Sequence, residues 1–144
     1  NITGVTMKDG GYTKLAAAAL ELAKEGKFQA VSCSADDLTI ASMIVDSKGN
    51  FTELFLDVLQ GRPSGATFAW RDKTKQELGD DYGMSDGSNL EWYEQAEVIT
   101  DYITENGWTM NSTPDLTSAG VTITTGTYYE TFVNLFTFSG DSLI

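Results

Sequence analysis

The chain of 144 residues contains no histidine. That removes the commonest general base and the usual ligand of haem iron and zinc together. Cys33 is its only cysteine, so neither an intramolecular disulfide nor a cysteine-built metal cluster can form. The thiol lies in the strand-like run Phe28-Gln-Ala-Val-Ser-Cys-Ser34 and reads as a small buried hydrophobe. A nucleophilic role would need a neighbouring base that a chain without histidine can hardly supply. Basic residues are scarce as well. Nine Lys and Arg stand against twenty-one Asp and Glu, for a formal charge of -12. Such a field repels nucleic acid and anionic membrane surfaces and favours cations or basic partners, so nucleic acid is dropped as a partner. No apolar run reaches the roughly 18 residues a bilayer-spanning helix needs.

What remains is ordinary globular material. Hydrophobic residues make up 41% and charged residues 21%, a balance that supports a packed core, and the length suits one domain covering 1–144. The start at Asn1, inside a structured-looking segment, reads as a processed mature chain or an internal boundary. With the acidic balance and abundant Thr, Ser and Gly, this places the protein outside the cell or on its surface. Asn1-Ile-Thr3, Asn50-Phe-Thr52 and Asn111-Ser-Thr113 match the glycosylation sequon, as expected by chance in so Asn- and Thr-rich a chain.

Patterning predicts an α+β domain, an antiparallel sheet with flanking helices. Tyr12, Leu15, Ala19 and Leu22 recur at three and four in an Ala-rich helix that Gly26 terminates. Strands follow over 28–34 and 38–45, with Asp46-Ser-Lys-Gly-Asn50 as a hairpin turn. In the return strand Leu54, Leu56 and Val58 share one face, and Glu53 and Asp57 the other. Gly61-Arg-Pro-Ser-Gly65 reads as a loop, 66–70 as a short strand, and 73–78 as a short helix stopped at Gly79. Ser88 with Glu91 three residues on predicts a capping box for a helix whose buried face is Trp92, Ala96, Ile99 and Ile103, ending at Asn106-Gly107. Gly120 to Thr124 reads as a strand, and 127–136 as a helix packing through Tyr128, Thr131, Val133 and Phe136.

The two ends echo each other. Ile2-Thr-Gly-Val-Thr-Met-Lys-Asp-Gly-Gly-Tyr12 resembles Ala119-Gly-Val-Thr-Ile-Thr-Thr-Gly-Thr-Tyr128, with Gly-Val-Thr just before the helix in both. Copies of one strand-to-helix feature at both ends point to one period of a tandem architecture.

At these residues the chain resembles the FMN-binding-domain family of exported bacterial proteins and lipoproteins. That family's Asp-x-x-Ser-Gly-Ala-Thr motif precedes a helix, and its threonine carries FMN through a phosphoester. The resemblance maps that threonine onto Thr6 and Thr122, and implies FMN as the alternative to no cofactor at all. Lys73-Thr-Lys-Gln-Glu-Leu-Gly-Asp-Asp-Tyr-Gly-Met84 and Glu91-Trp-Tyr-Glu-Gln95 resemble a Gram-positive subgroup of the same family, which also has the Val45–Asn50 kind of hairpin and a later strand like Asp115-Leu-Thr-Ser118. The small Ala of the motif is Val at both ends here, and Ala119 inserts one residue before Gly120. Ser64-Gly-Ala-Thr67 matches the motif literally, but it follows Pro63 and leads into Phe68-Ala-Trp70, so it reads as a decoy.

Other constellations are weaker. Asp80, Asp81 and Asp86 form a loop of oxygen donors without EF-hand spacing, so a solvated acidic loop is expected and no metal site. Trp70, Tyr82, Trp92, Tyr93 and Trp108 offer stacking surface for a flavin or sugar, although aromatics at helical spacing ordinarily build core. The pairs Asp36-Asp37 and Asp80-Asp81 would serve acid–base chemistry only in a cleft that shifts their pKa values. With no catalytic set, the expectation is a non-enzymatic cell-surface structural or interaction protein that assembles with itself or other surface proteins, in one form through strand exchange. An FMN-carrying electron-transfer protein and a small-molecule-binding domain are the alternatives.

Overall fold

In the computed structural model, residues 12–34, 36–48, 50–84, 89–108, 113–123 and 126–139 are described. Four strands run β1 Lys27–Cys33, β2 Asp37–Val45, β3 Phe51–Ser64 and β4 Thr67–Trp70, in the spatial order of the sequence. All neighbours are antiparallel, with Ala30 opposite Ala41 and Ala41 opposite Leu56 fixing the register. The β2–β3 turn is built by Asp46, whose carboxylate accepts the amides of Lys48 (2.8 Å) and Asn50 (3.0 Å). The expected α+β class, an antiparallel sheet with flanking helices, is the one observed.

Four helices accompany the sheet: α1 Tyr12–Lys24, α2 Lys75–Leu78, α3 Trp92–Asn106 and α4 Gly126–Ser139. The α1–β1 turn needs its glycine. Gly26 has φ +70°, and a Cβ there would stand 2.6 Å from the Val45 carbonyl oxygen. The same backbone contact holds the turn to β2, because the Val45 amide donates to the Gly26 carbonyl at 2.7 Å. α2 starts on a reciprocal cap between Thr74 and Glu77.

Strand alternation divides the sheet into a covered and an open face. Ala30, Thr39, Ala41, Met43, Leu54, Leu56 and Val58 are buried on the covered one. α4 lies over β1 and β2, and α3 over β3. From α3 come Trp92, Ala96, Ile99 and Ile103, and from α4 Tyr128, Phe132, Leu135 and Phe136. Trp108 closes this core, its ring stacked on Phe136 at 5.2 Å with Tyr129 and Phe132 beside it.

Several expectations change. Cys33 is exposed rather than buried, because Ala30 and Ser32 take the inward positions of β1 and leave Val31 and Cys33 facing out. Asp57 is buried rather than solvent-facing. Its carboxylate accepts the Val58 amide (2.7 Å) and the Gln76 amide of α2 (3.1 Å), while the Gln76 side chain donates to the Leu56 carbonyl (3.0 Å). α2 thereby covers part of the free edge of β3. The segment 61–65 is not a loop: β3 continues through Pro63, tolerated because this stretch pairs only with β4. The turn lies at Gly65-Ala66, and Thr67 donates its hydroxyl to the Ser64 carbonyl, so the literal Ser-Gly-Ala-Thr match is a hairpin turn. α3 is capped by Glu91 paired with Glu94, not by Ser88, which lies outside the described residues. Among the described residues no helix is long and apolar enough to cross a membrane.

Candidate functional site

The segment that the sequence marks out, Asp115 to Thr122, forms a tight loop between α3 and α4. Asp115 accepts the hydroxyl of Thr117 (2.7 Å) and its amide (3.1 Å). These bonds, the hydroxyl's first, hold the Asp115 carboxyl below the usual carboxylate range. A single 3-10 turn, Thr117–Ala119, follows, and the amides of Ala119 and Val121 both donate to the Leu116 carbonyl. Gly120 then reverses the chain at φ +86°, against Leu90. Ala119 is the last residue of the 3-10 turn.

In the described part of the strand expected over 120–124, residues 120–123, no strand forms, and Thr124 lies outside the described residues. The amides of Thr122 (2.7 Å) and Ile123 (3.0 Å) both donate to one side-chain oxygen, Gln95 Oε1, and the Thr122 hydroxyl reaches it at 3.3 Å. Gln95 is fully buried, and its Nε2 donates to the Leu90 carbonyl (3.0 Å) and the Met84 sulfur (3.5 Å). A side chain thus does for this segment what a neighbouring strand would have done, and ties it to α3. Gln95 escaped the sequence reading. Its signal was a polar residue on the apolar stripe of Trp92, Ala96 and Ile99.

An open groove of about 460 Å³ runs beside the loop, walled by Pro114, Asp115, Leu116, Thr122, Ile123 and Tyr128 among others. Its volume lies in the range of small-molecule sites. Burial pushes the Tyr128 phenol above its ordinary pKa. Of the two threonines mapped from the family resemblance, Thr122 is exposed on this groove, whereas Thr6 lies outside the described residues. The fit to a flavin phosphate is poor. Among the described residues no lysine or arginine lines the groove, the Asp115 carboxylate shares it, and the Thr122 hydroxyl is already engaged by Gln95.

The remaining candidates separate. Asp80 accepts the hydroxyl of Tyr93 at 3.2 Å, and its carboxylate raises the Tyr93 phenol pKa. Among the described residues no three acidic or cysteine side chains converge as a metal site, and Asp86 is outside them. Trp92 is core and Trp108 packs against it; Tyr82 lies beneath Lys75 (4.8 Å), and Trp70 is exposed against Phe68. They do not make one stacking surface.

Among the described residues the two most exposed large hydrophobic side chains both lie on α1. Leu15 is 70% exposed and Leu20 57%, Ala19 is exposed as well, and Leu22 is half-buried. The terminal echo puts α1 in ungapped register with α4: Leu15, Ala16, Ala19 and Leu20 correspond to Thr131, Phe132, Leu135 and Phe136. All four of those α4 residues are buried against the sheet, and all four of their α1 counterparts are exposed. Neither a protein-family model, nor a curated protein, nor a solved structure matches the chain.

Proposed function

We propose that this domain is a non-catalytic interaction module of the cell surface that joins to another unit of the same fold through α1. The observation that carries the reading is the opposite burial of two helices in the same register. α4 covers a sheet with the face that α1 leaves open. Glu21 pairs with Lys24 (2.7 Å) in the last turn of α1, and just beyond its end Glu25 pairs with Lys27 (3.0 Å). Apolar side chains of Leu size each gain about 1.5–3 kcal/mol on full burial, so Leu15 and Leu20 together supply a worthwhile docking energy. The expected exchange of a strand thereby becomes the docking of a helix.

Light scattering after size exclusion tests this on the wild-type chain and on Leu15→Glu/Leu20→Glu. The wild type associates with rising concentration, and the double variant stays monomeric with unchanged circular dichroism. A wild type that remains monomeric across the micromolar range contradicts the proposal. The same sample addresses the flavin alternative: a colourless protein of unmodified mass is expected, and a flavin spectrum with an FMN-sized increment on Thr122 would displace this reading.

A further inference from the structure

We infer that the pocket between the base of the β3–β4 hairpin and the start of α2 binds a phosphate group. It has a volume of about 250 Å³ and is lined by Arg62, Arg71, Asp72, Lys73 and Leu78. The chain has two arginines, and both are here; with Lys73 they account for three of its nine basic side chains. Gathering them against a formal charge of -12 is the opposite of what random placement on an acidic surface gives. Acidic partners are plentiful, yet among the described residues the ion pairs are Glu21–Lys24 and Glu25–Lys27, and neither arginine makes one. Asp72 lines the same wall without pairing to them.

Arg71 adds a second, independent sign. Its Nε is shut off from solvent and has no hydrogen-bond acceptor in the protein. A buried donor of this kind is costly unless an acceptor reaches it, and a guanidinium edge is shaped for two oxygens of one oxyanion. The backbone fixes the group in place. Arg62 stands opposite Ala69 in the hairpin, and the Arg71 amide donates to the Gln60 carbonyl at 2.9 Å, so both arginines leave the same end of the β3–β4 ribbon. The pocket is smaller than a drug-sized site, which suits a phosphate or the phosphate end of a larger small molecule. Arg62, Arg71 and Lys73 outweigh Asp72 and leave the lining with net positive charge, which attracts a dianion more strongly than a singly charged anion. The site is independent of α1 and of the Thr122 groove.

Thermal unfolding and isothermal titration of the full chain with inorganic phosphate, at ionic strength held constant with chloride, test the site. Saturable binding and a rise in Tm are expected, with acetate producing neither. Arg62→Met and Arg71→Met should each weaken phosphate binding by tenfold or more. In phosphate-free buffer Arg71→Met should keep the wild-type Tm, because it removes an unpartnered donor and no ion pair. Phenyl phosphate distinguishes the two sources: tighter binding than inorganic phosphate indicates a phosphomonoester ligand, and equal binding indicates the free ion. An absence of saturable binding, an equal response to acetate, or phosphate binding unchanged in both variants would overturn the inference.

Discussion

Gln95 bears more of the loop's structure than any other single residue, since one oxygen accepts from two amides and a hydroxyl. Replacing Gln95 by Leu removes the acceptor of those amides and the donor to the Leu90 carbonyl. An unsatisfied buried group costs about 1–3 kcal/mol, so Gln95→Leu should lower stability by roughly 2–3 kcal/mol in urea unfolding. Loss of less than half of that would mean water replaces the glutamine readily. Asp57 follows the same logic at the β3 edge, and Asp57→Ala should cost about 1–3 kcal/mol. Asp115 offers a pH handle. Its folded-state pKa is lowered, so its contribution is present above the unfolded carboxylate value and is lost as pH falls through the lowered folded value. Asp115→Asn should therefore flatten the acid limb of stability, and an NMR titration should show the Asp115 carboxyl titrating below the ordinary aspartate range. At this scale the sequence was least legible. Alternation identified Leu54, Leu56 and Val58 as inward, but it also assigned Asp57 to solvent, because nothing local announces that α2 will supply an amide to its carboxylate. Cys33 was misplaced for a related reason: a thiol's preference for burial gave way to the strand's phase, set by Ala30 and Ser32.

Elements were read better, wherever a periodic face met a clear stop. α1 ends where Gly26 permits a left-handed turn, and α3 ends at Gly107 with φ +81°. The four inward residues expected of α3 are all buried. The failures lie where tertiary partners replace local rules. Residues 120–123 have strand composition, yet their amides go to a glutamine on a helix, so no ladder forms. Pro63 signalled a loop, yet a ribbon with one free edge accommodates it. α1 is the instructive element, since it is a helix as expected but Leu15 and Ala19 of its apolar face stay exposed. With 13 residues it is about as short as an isolated helix can be and still form in water. A Gly substitution at Ala17, on an exposed interior turn, should cost about 1 kcal/mol of helix stability and weaken association accordingly. Circular dichroism together with sedimentation would show whether the two losses track one another.

For the molecule as a whole, composition already bounded the partners: a chain of charge -12 without histidine is a poor fit to nucleic acid and to histidine-based catalysis. The α+β class followed from the order of periods. The groove beside Thr122 and the arginine pocket did not, because each is assembled from segments whose approach no local pattern encodes. Arg62 and Arg71 are nine positions apart in sequence and meet only because the β3–β4 hairpin folds back. Alkaline pH gives a global test of the core. Tyr128 is buried with its pKa raised, so the stability it supports is intact below the ordinary tyrosine value of about 10 and falls as pH rises through the higher folded value. Tyr128→Phe should resist that alkaline loss in thermal unfolding.

The account turns on whether α1 is a docking helix. Hydrogen–deuterium exchange of the α1 amides, followed as protein concentration rises, addresses this most directly. The prediction is weak protection in dilute solution that grows with concentration, while amides of α3 and of β2 stay strongly protected throughout. Protection in α1 that is independent of concentration, whether high or low, would contradict it.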